Sequence, residues 1–301
     1  MHIWERGTAL LSEDPVPNLS RLYASPYSYL AYFRCVLILT GNENGAQDLL
    51  LDCIRRVKEN TSDRCEMLSF AIPLALEAYL RYTGDIIQVK KLLSQVEQIL
   101  SVEVSEETIL TSTFEYASLL LGAELSMHRL QATCGCDIDY TRQTRLSLRF
   151  HERFFREKDG CYTDDRGEIS PVTAVLPTAL GFAHADAHRS ARRILIEESF
   201  AVPRVMRLFL YDAMISEELY DLLLPTLLEG GAPRGTVTYA DLAGLVCIPE
   251  HLLGVDLAML GKGIRCFTPH LPDQIAYRAI LPAGKGFLTF ESEEQFFESF
   301  D

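Results

Sequence analysis

Between residues 45 and 59 the apolar positions are Leu49, Leu50, Cys53, Ile54 and Val57. That i, i+3, i+4 spacing puts one stripe of a helix against a core. The same rhythm fills most of the chain. It predicts helices over 26–40, 45–59, 64–82, 86–100, 105–131, 139–157, 171–183, 186–198, 202–213 and 216–229. Consecutive segments are separated by a few residues only, so neighbouring helices must fold back on each other as hairpins. Proline opens two of them, Pro26 and Pro171, where its missing N–H costs nothing.

The punctuation supports that pairing. Gly41, Gly84, Gly122 and Gly181 mark expected turns, and Asp85 after Gly84 is an N-cap for the returning helix. Ser105-Glu106-Glu107-Thr108 places acids in a first helical turn, where they face the positive end of the helix dipole. In FHERFFREKDGCYTDDRGEISPVTA, residues 150–174, Phe150 and Phe154 are expected in the core, Gly160 ends the helix and Ser170-Pro171 starts the next. Alternating apolar residues enter late, at 263–268, 275–281 and 286–290, and predict a small sheet.

Turns near every fortieth residue, with helices of unequal length, fit a closed ring of hairpins better than an open solenoid. The expected class is all-α: an (α/α)6-type toroid of helical hairpins over 1–260, with a small C-terminal β element over 261–301 packed on the same domain.

Composition narrows the function. Apolar residues are 48% of the 301 and charged residues 23%, which suits an ordinary globular core. The formal charge of −14 and the lack of any long basic run argue against nucleic acid and anionic membrane surfaces as partners. The first residues lack a basic segment followed by an apolar run, so a cytoplasmic location is expected. Cysteines such as Cys35 and Cys53 fall at apolar helical positions and are expected as free, buried thiols.

Metal and cofactor signals are thin. Cys134-Gly135-Cys136 has no second Cys/His pair at zinc spacing nearby. His184 and His188 are four apart, but FAHADAHRSARR reads as a polar helix turn. Walker A, G-x-G-x-x-G and G-x-S-x-G motifs are absent. No metal and no cofactor is expected.

Four short motifs carry a resemblance. Tyr79 to Asp85 reads Y-L-R-Y-T-G-D, Phe150 to Tyr162 spans a helix end closing in D-G-C-Y, Ser170 to Gly181 opens the next helix, and PEHLLGVD precedes the late strands. Together they resemble the six-hairpin glycosidases, in particular the α-L-rhamnosidase-like family, over about residues 65–290. The resemblance implies a helical barrel that acts on or binds a carbohydrate or glycoside with paired acids at one mouth. The family's Asp-Cys-Pro-x-Arg-x-Glu and Ala-Thr-Thr-x-Trp-Glu motif types are absent; Glu229-Gly230-Gly231-Ala232-Pro233 stands where the second belongs.

Glycoside hydrolysis needs one protonated and one ionised carboxyl flanking the bond. Glu229, Asp63 and Glu66 are the expected catalytic acids, although Asp63 and Glu66 also have the spacing of an N-cap and its capping partner. Tyr27, Tyr116 and Asp165 are the expected substrate contacts. The chain has 13 tyrosines and 15 phenylalanines but one tryptophan, Trp4, which weakens the case for a sugar-stacking cleft. The alternative is a catalytically inactive helical scaffold that binds a sugar or a protein partner.

Overall fold

The computed structural model describes residues 22–59, 63–103, 106–229, 242–271, 277–283 and 286–291. The helices are α1 (Pro26–Leu39), α2 (Glu43–Glu59), α3 (Asp63–Thr83), α4 (Ile86–Glu103), α5 (Glu106–Thr111), α6 (Phe114–Cys134) and α7 (Tyr140–Phe154). A two-residue strand pair follows, β1 (Phe155–Arg156) and β2 (Cys161–Tyr162). Then come α8 (Pro171–Ala179), α9 (His188–Glu198), α10 (Arg207–Ser216), α11 (Tyr220–Glu229), α12 (Leu242–Cys247) and α13 (Leu257–Gly261). The chain's last described elements are β3 (Arg278–Ala283) and β4 (Gly286–Glu291).

Neighbour relations close these helices into a ring. α1 packs on α3, α3 on α6, α6 on α8, α8 on α10, α10 on α12, and α12 returns to α1. Outside this ring α2 packs on α1 and α3, α4 on α3 and α6, α7 on α6, α9 on α8, α11 on α10, and α13 on α3. The fold is therefore an all-α (α/α)6 toroid. Because every inner helix is followed by an outer helix running back, the six inner helices point the same way. Their N-termini gather at one mouth and their C-termini at the other.

Local chemistry explains the hairpins. Ser25 Oγ accepts from the Ser28 N–H, and Pro26 occupies the first turn of α1. Gly41, Gly84 and Gly181 take left-handed φ values of 63°, 68° and 76°, the conformation that a chain reversing direction there requires. Asp85 Oδ1 accepts from the Gln88 N–H at 2.9 Å and caps α4. Ser170 and Thr173 form a capping box at the start of α8. Between the layers, Phe150 packs on Phe114, Phe154 and Phe182 with ring centroids 5.0–5.6 Å apart. Each such buried ring contributes about 1.5–3 kcal/mol.

Several expectations fail for identifiable reasons. The helix expected over 105–131 is two helices, because Thr113 Oγ1 accepts from the Tyr116 N–H and restarts the chain as an N-cap. The helix expected over 139–157 stops at Phe154, since Phe155 and Arg156 pair with Tyr162 and Cys161 instead. Gly160 accordingly sits in the turn of that strand pair, with φ +55°, and does not end a helix. Gly122 is no turn; it lies inside α6, where a Cβ would come within 2.8 Å of the Leu180 side chain. Of 263–268, only Phe267 forms an isolated bridge, to Val255. α12 escapes the periodicity because it is short and buried all round, and α13 because it is only five residues long.

β3 and β4 form an antiparallel hairpin whose Leu281, Ala283 and Phe290 enter the same hydrophobic core as the helices. α13 sits so close to the end of α3 that a Cβ on Gly261 would lie 1.8 Å from the Tyr82 carbonyl oxygen. No described helix is long and apolar enough to cross a membrane.

Candidate functional site

The ring gives the chain two mouths and one axis. At the mouth of inner-helix N-termini, Tyr27 begins α1, Asp63 and Glu66 begin α3, and Tyr116 begins α6. Asp165 lies on the loop leading into α8, and Glu229 ends the outer helix α11, whose chain continues toward α12. Chain direction thus assigns all six predicted residues to one end of the toroid. The side chains of Asp63, Glu66 and Glu229 lie outside the described residues.

Tyr27 reaches the axis. Its hydroxyl donates to Glu115 Oε1 of α6 at 2.8 Å, and its ring meets Phe209 of α10 edge-on at 5.4 Å. Helices α1, α6 and α10 alternate around the ring, so these three side chains meet across it. Tyr27 is 3% exposed and forms a floor below the mouth rather than an open stacking face. Burial first, and then the Glu115 carboxylate, push its phenol well above the ordinary range, so it stays a hydrogen-bond donor. Tyr116 is half-buried, with its ring edge-on to Phe70 at 5.0 Å. Asp165 is exposed. Glu115, which the sequence pattern did not single out, is the described carboxylate on this floor. Its only sequence signal is its place two residues after the capping Thr113.

On the other side of the Tyr27–Phe209 pair, the inner-helix C-termini enclose a cavity of about 300 Å³. Its polar wall comes from α1, α3, α6, α10 and a π-helical turn (Ile248–Leu252) after α12. Arg34 Nη1 donates to Asp212 Oδ2 at 2.9 Å, and its Nη2 donates to Glu250 Oε2. His251 Nε2 donates to Asp212 Oδ1 at 2.7 Å. Nearer the opening, Arg129 grips Glu77 through Nε and Nη2 at 2.6 and 2.9 Å, and Arg81 approaches Glu250 at 3.6 Å.

Electrostatics fixes the charge states here. Burial alone would raise the Asp212 carboxyl, but Arg34 and His251 outweigh it and hold it well below the usual carboxylate range. Burial would likewise lower Arg34, yet Asp212 and Glu250 keep it firmly protonated. Asp212 is therefore an ionised structural partner, unlike the raised carboxyl of a general acid.

The histidine pair does not converge. His184 Nδ1 accepts from the Asp186 N–H at 3.2 Å, while His188 Nδ1 pairs with Glu217 at 2.6 Å. Cys134 is buried, Cys136 is exposed, and Gly135 between them takes the left-handed turn ending α6. Among the described residues no group of three or more His, Cys, Asp or Glu side chains is placed to hold a metal.

Together the ring and its plugged axis define an (α/α)6 toroid with an acid-bearing mouth. The ring fold is similar to that of a solved glycoside hydrolase family 78 rhamnosidase of Bacillus sp. GL1. The likeness has a TM-score of 0.59 at 14% sequence identity and covers 89% of this chain. The chain spans 35% of the length of that enzyme, so the likeness is one of fold with its helical portion. No family model and no curated protein sequence matches the chain.

Proposed function

We propose that this chain binds a carbohydrate in the mouth formed by the N-termini of the inner helices. The Tyr27–Glu115 pair carries the reading. It sets a carboxylate, held by a phenol that remains protonated, on the floor of the mouth formed by those helix N-termini. A carboxylate accepts bonds from sugar hydroxyls, and the half-buried Tyr116 ring at the start of the same helix offers apolar surface to a pyranose. The rhamnosidase-like fold agrees with this ligand class.

Hydrolysis at this mouth assigns Glu229 as proton donor and Asp63 or Glu66 as base or nucleophile. The absence of both acidic motif types favours the second reading, a sugar-binding relative of the enzyme fold without turnover. One experiment separates the two. The full chain is titrated with neutral monosaccharides and assayed on aryl glycosides, alone and as Glu115→Gln, Glu229→Gln, Asp63→Asn and Glu66→Gln. Binding weakened about tenfold by Glu115→Gln supports the site. Turnover abolished by Glu229→Gln establishes hydrolysis. Saturable binding with no turnover establishes the relic. Binding or turnover indifferent to all four substitutions places the function elsewhere.

A further inference from the structure

The cavity at the opposite mouth has a use that its internal ion pairs do not exhaust. Three arginines and three carboxylates line it, and the buried ones satisfy each other: Arg34 with Asp212 and Glu250, and Asp212 with His251. The two arginines at the opening differ. Arg81 is 59% exposed and makes only the 3.6 Å approach to Glu250, with no hydrogen bond among the described residues. Arg129 is 46% exposed and commits Nε and Nη2 to Glu77, leaving Nη1 without a described partner. A guanidinium carries five N–H donors in a planar fork suited to carboxylates. Most of that capacity here is unspent and stands at the entrance of a built cavity.

The remaining polar groups ask for a different chemistry. Asp212, Glu250 and Glu77 present carboxylate oxygens, His251 leaves Nδ1 without a described hydrogen bond, and the exposed Ser216, whose hydroxyl donates to the Asp212 carbonyl, presents an acceptor oxygen. These groups accept from ligand hydroxyls. Leu30, Leu74 and Phe209 give the rest of the wall an apolar surface. A volume of about 300 Å³ lies at the small end of ligand pockets and suits one sugar-sized ring.

We propose that this cavity binds a small polyhydroxylated monocarboxylate, a sugar acid. Its carboxylate meets Arg81 and the free edge of Arg129 at the opening, and its hydroxyls face Asp212, Glu250 and Ser216. The site is separated from the carbohydrate mouth by the Tyr27–Phe209 pair and does not depend on that reading.

The test is calorimetric titration of the full chain at low salt with D-glucuronate, glucose, acetate and sulfate. The expected result is saturable glucuronate binding, about tenfold or more tighter than any of the other three. Arg81→Met is expected to weaken it by about tenfold, and Arg81→Lys by less, because an ammonium keeps the charge but loses the fork. Ala78 of α3 also lines the cavity, and Ala78→Leu, which fills it, is expected to abolish binding; an unchanged melting temperature shows that each variant folds. Glu115→Gln at the far mouth is expected to leave glucuronate affinity unaltered. The proposal is overturned by no glucuronate binding, by acetate or sulfate binding as tightly, or by indifference to Arg81→Met. Weakening of glucuronate by Glu115→Gln overturns it too, since the ligand would then occupy the other mouth.

Discussion

The two mouths of this toroid are made from the same six helices but from different kinds of residue. The C-terminal mouth is held by ion pairs that join α1, α10 and the turn after α12, with Glu250 6% exposed and Asp212 locked between Arg34 and His251. The N-terminal mouth is floored by one neutral–anionic hydrogen bond, Tyr27 to Glu115, and by ring contacts. Substitutions among the buried ion pairs of the first mouth should therefore register chiefly as stability, and those at the floor of the second chiefly as binding.

The largest expected effect is Arg34→Met. It removes the buried partner shared by Asp212 and Glu250 and should cost about 3–5 kcal/mol, the penalty for removing one member of a buried ion network. Urea unfolding measures this directly; a loss below about 1 kcal/mol would mean the network is no stronger than a surface pair.

Asp212→Asn comes next, through pH. The native Asp212 carboxyl titrates below its ordinary unfolded value near about 3.9. The group thus stabilises the fold above the unfolded pKa, and that contribution is lost as pH falls through the lower native pKa. Melting temperatures followed from pH 6 downward should fall more steeply in the native chain than in Asp212→Asn. Parallel acid limbs would contradict the assignment.

Tyr27→Phe should be milder, about 1 kcal/mol, because it removes one hydrogen bond and leaves the ring in place against Phe209. Its larger consequence should be weaker sugar binding, read by titration beside Glu115→Gln. Smallest of all is Arg81→Met. An exposed arginine with one long contact should change stability by no more than about 0.5 kcal/mol in thermal unfolding, whatever it does to sugar-acid affinity.

Much of the scaffold is legible in the sequence. Period-3.6 stripes such as Leu50, Cys53 and Ile54 mark buried helix faces, and Gly41, Gly84 and Gly181 mark reversals, because both signals are local. Boundaries were less legible where two local preferences compete. Thr113 prefers capping to mid-helix placement, and Phe155 prefers a strand pair with Tyr162 to another helical turn. Gly122 shows the same ambiguity from the other side, since a glycine that admits Leu180 looks in sequence like a glycine that turns.

The candidate sites divide along that line. Sequence alone determined that this chain is a run of helical hairpins, because helix periodicity and turn chemistry are written within a few neighbouring residues. Only the tertiary structure decided which side chains meet on the axis. Tyr27 and Glu115 are 88 residues apart, and Arg34 and Asp212 are 178 apart. Such pairs leave no periodic trace, since each depends on closing a ring of six helices and not on the residues beside it.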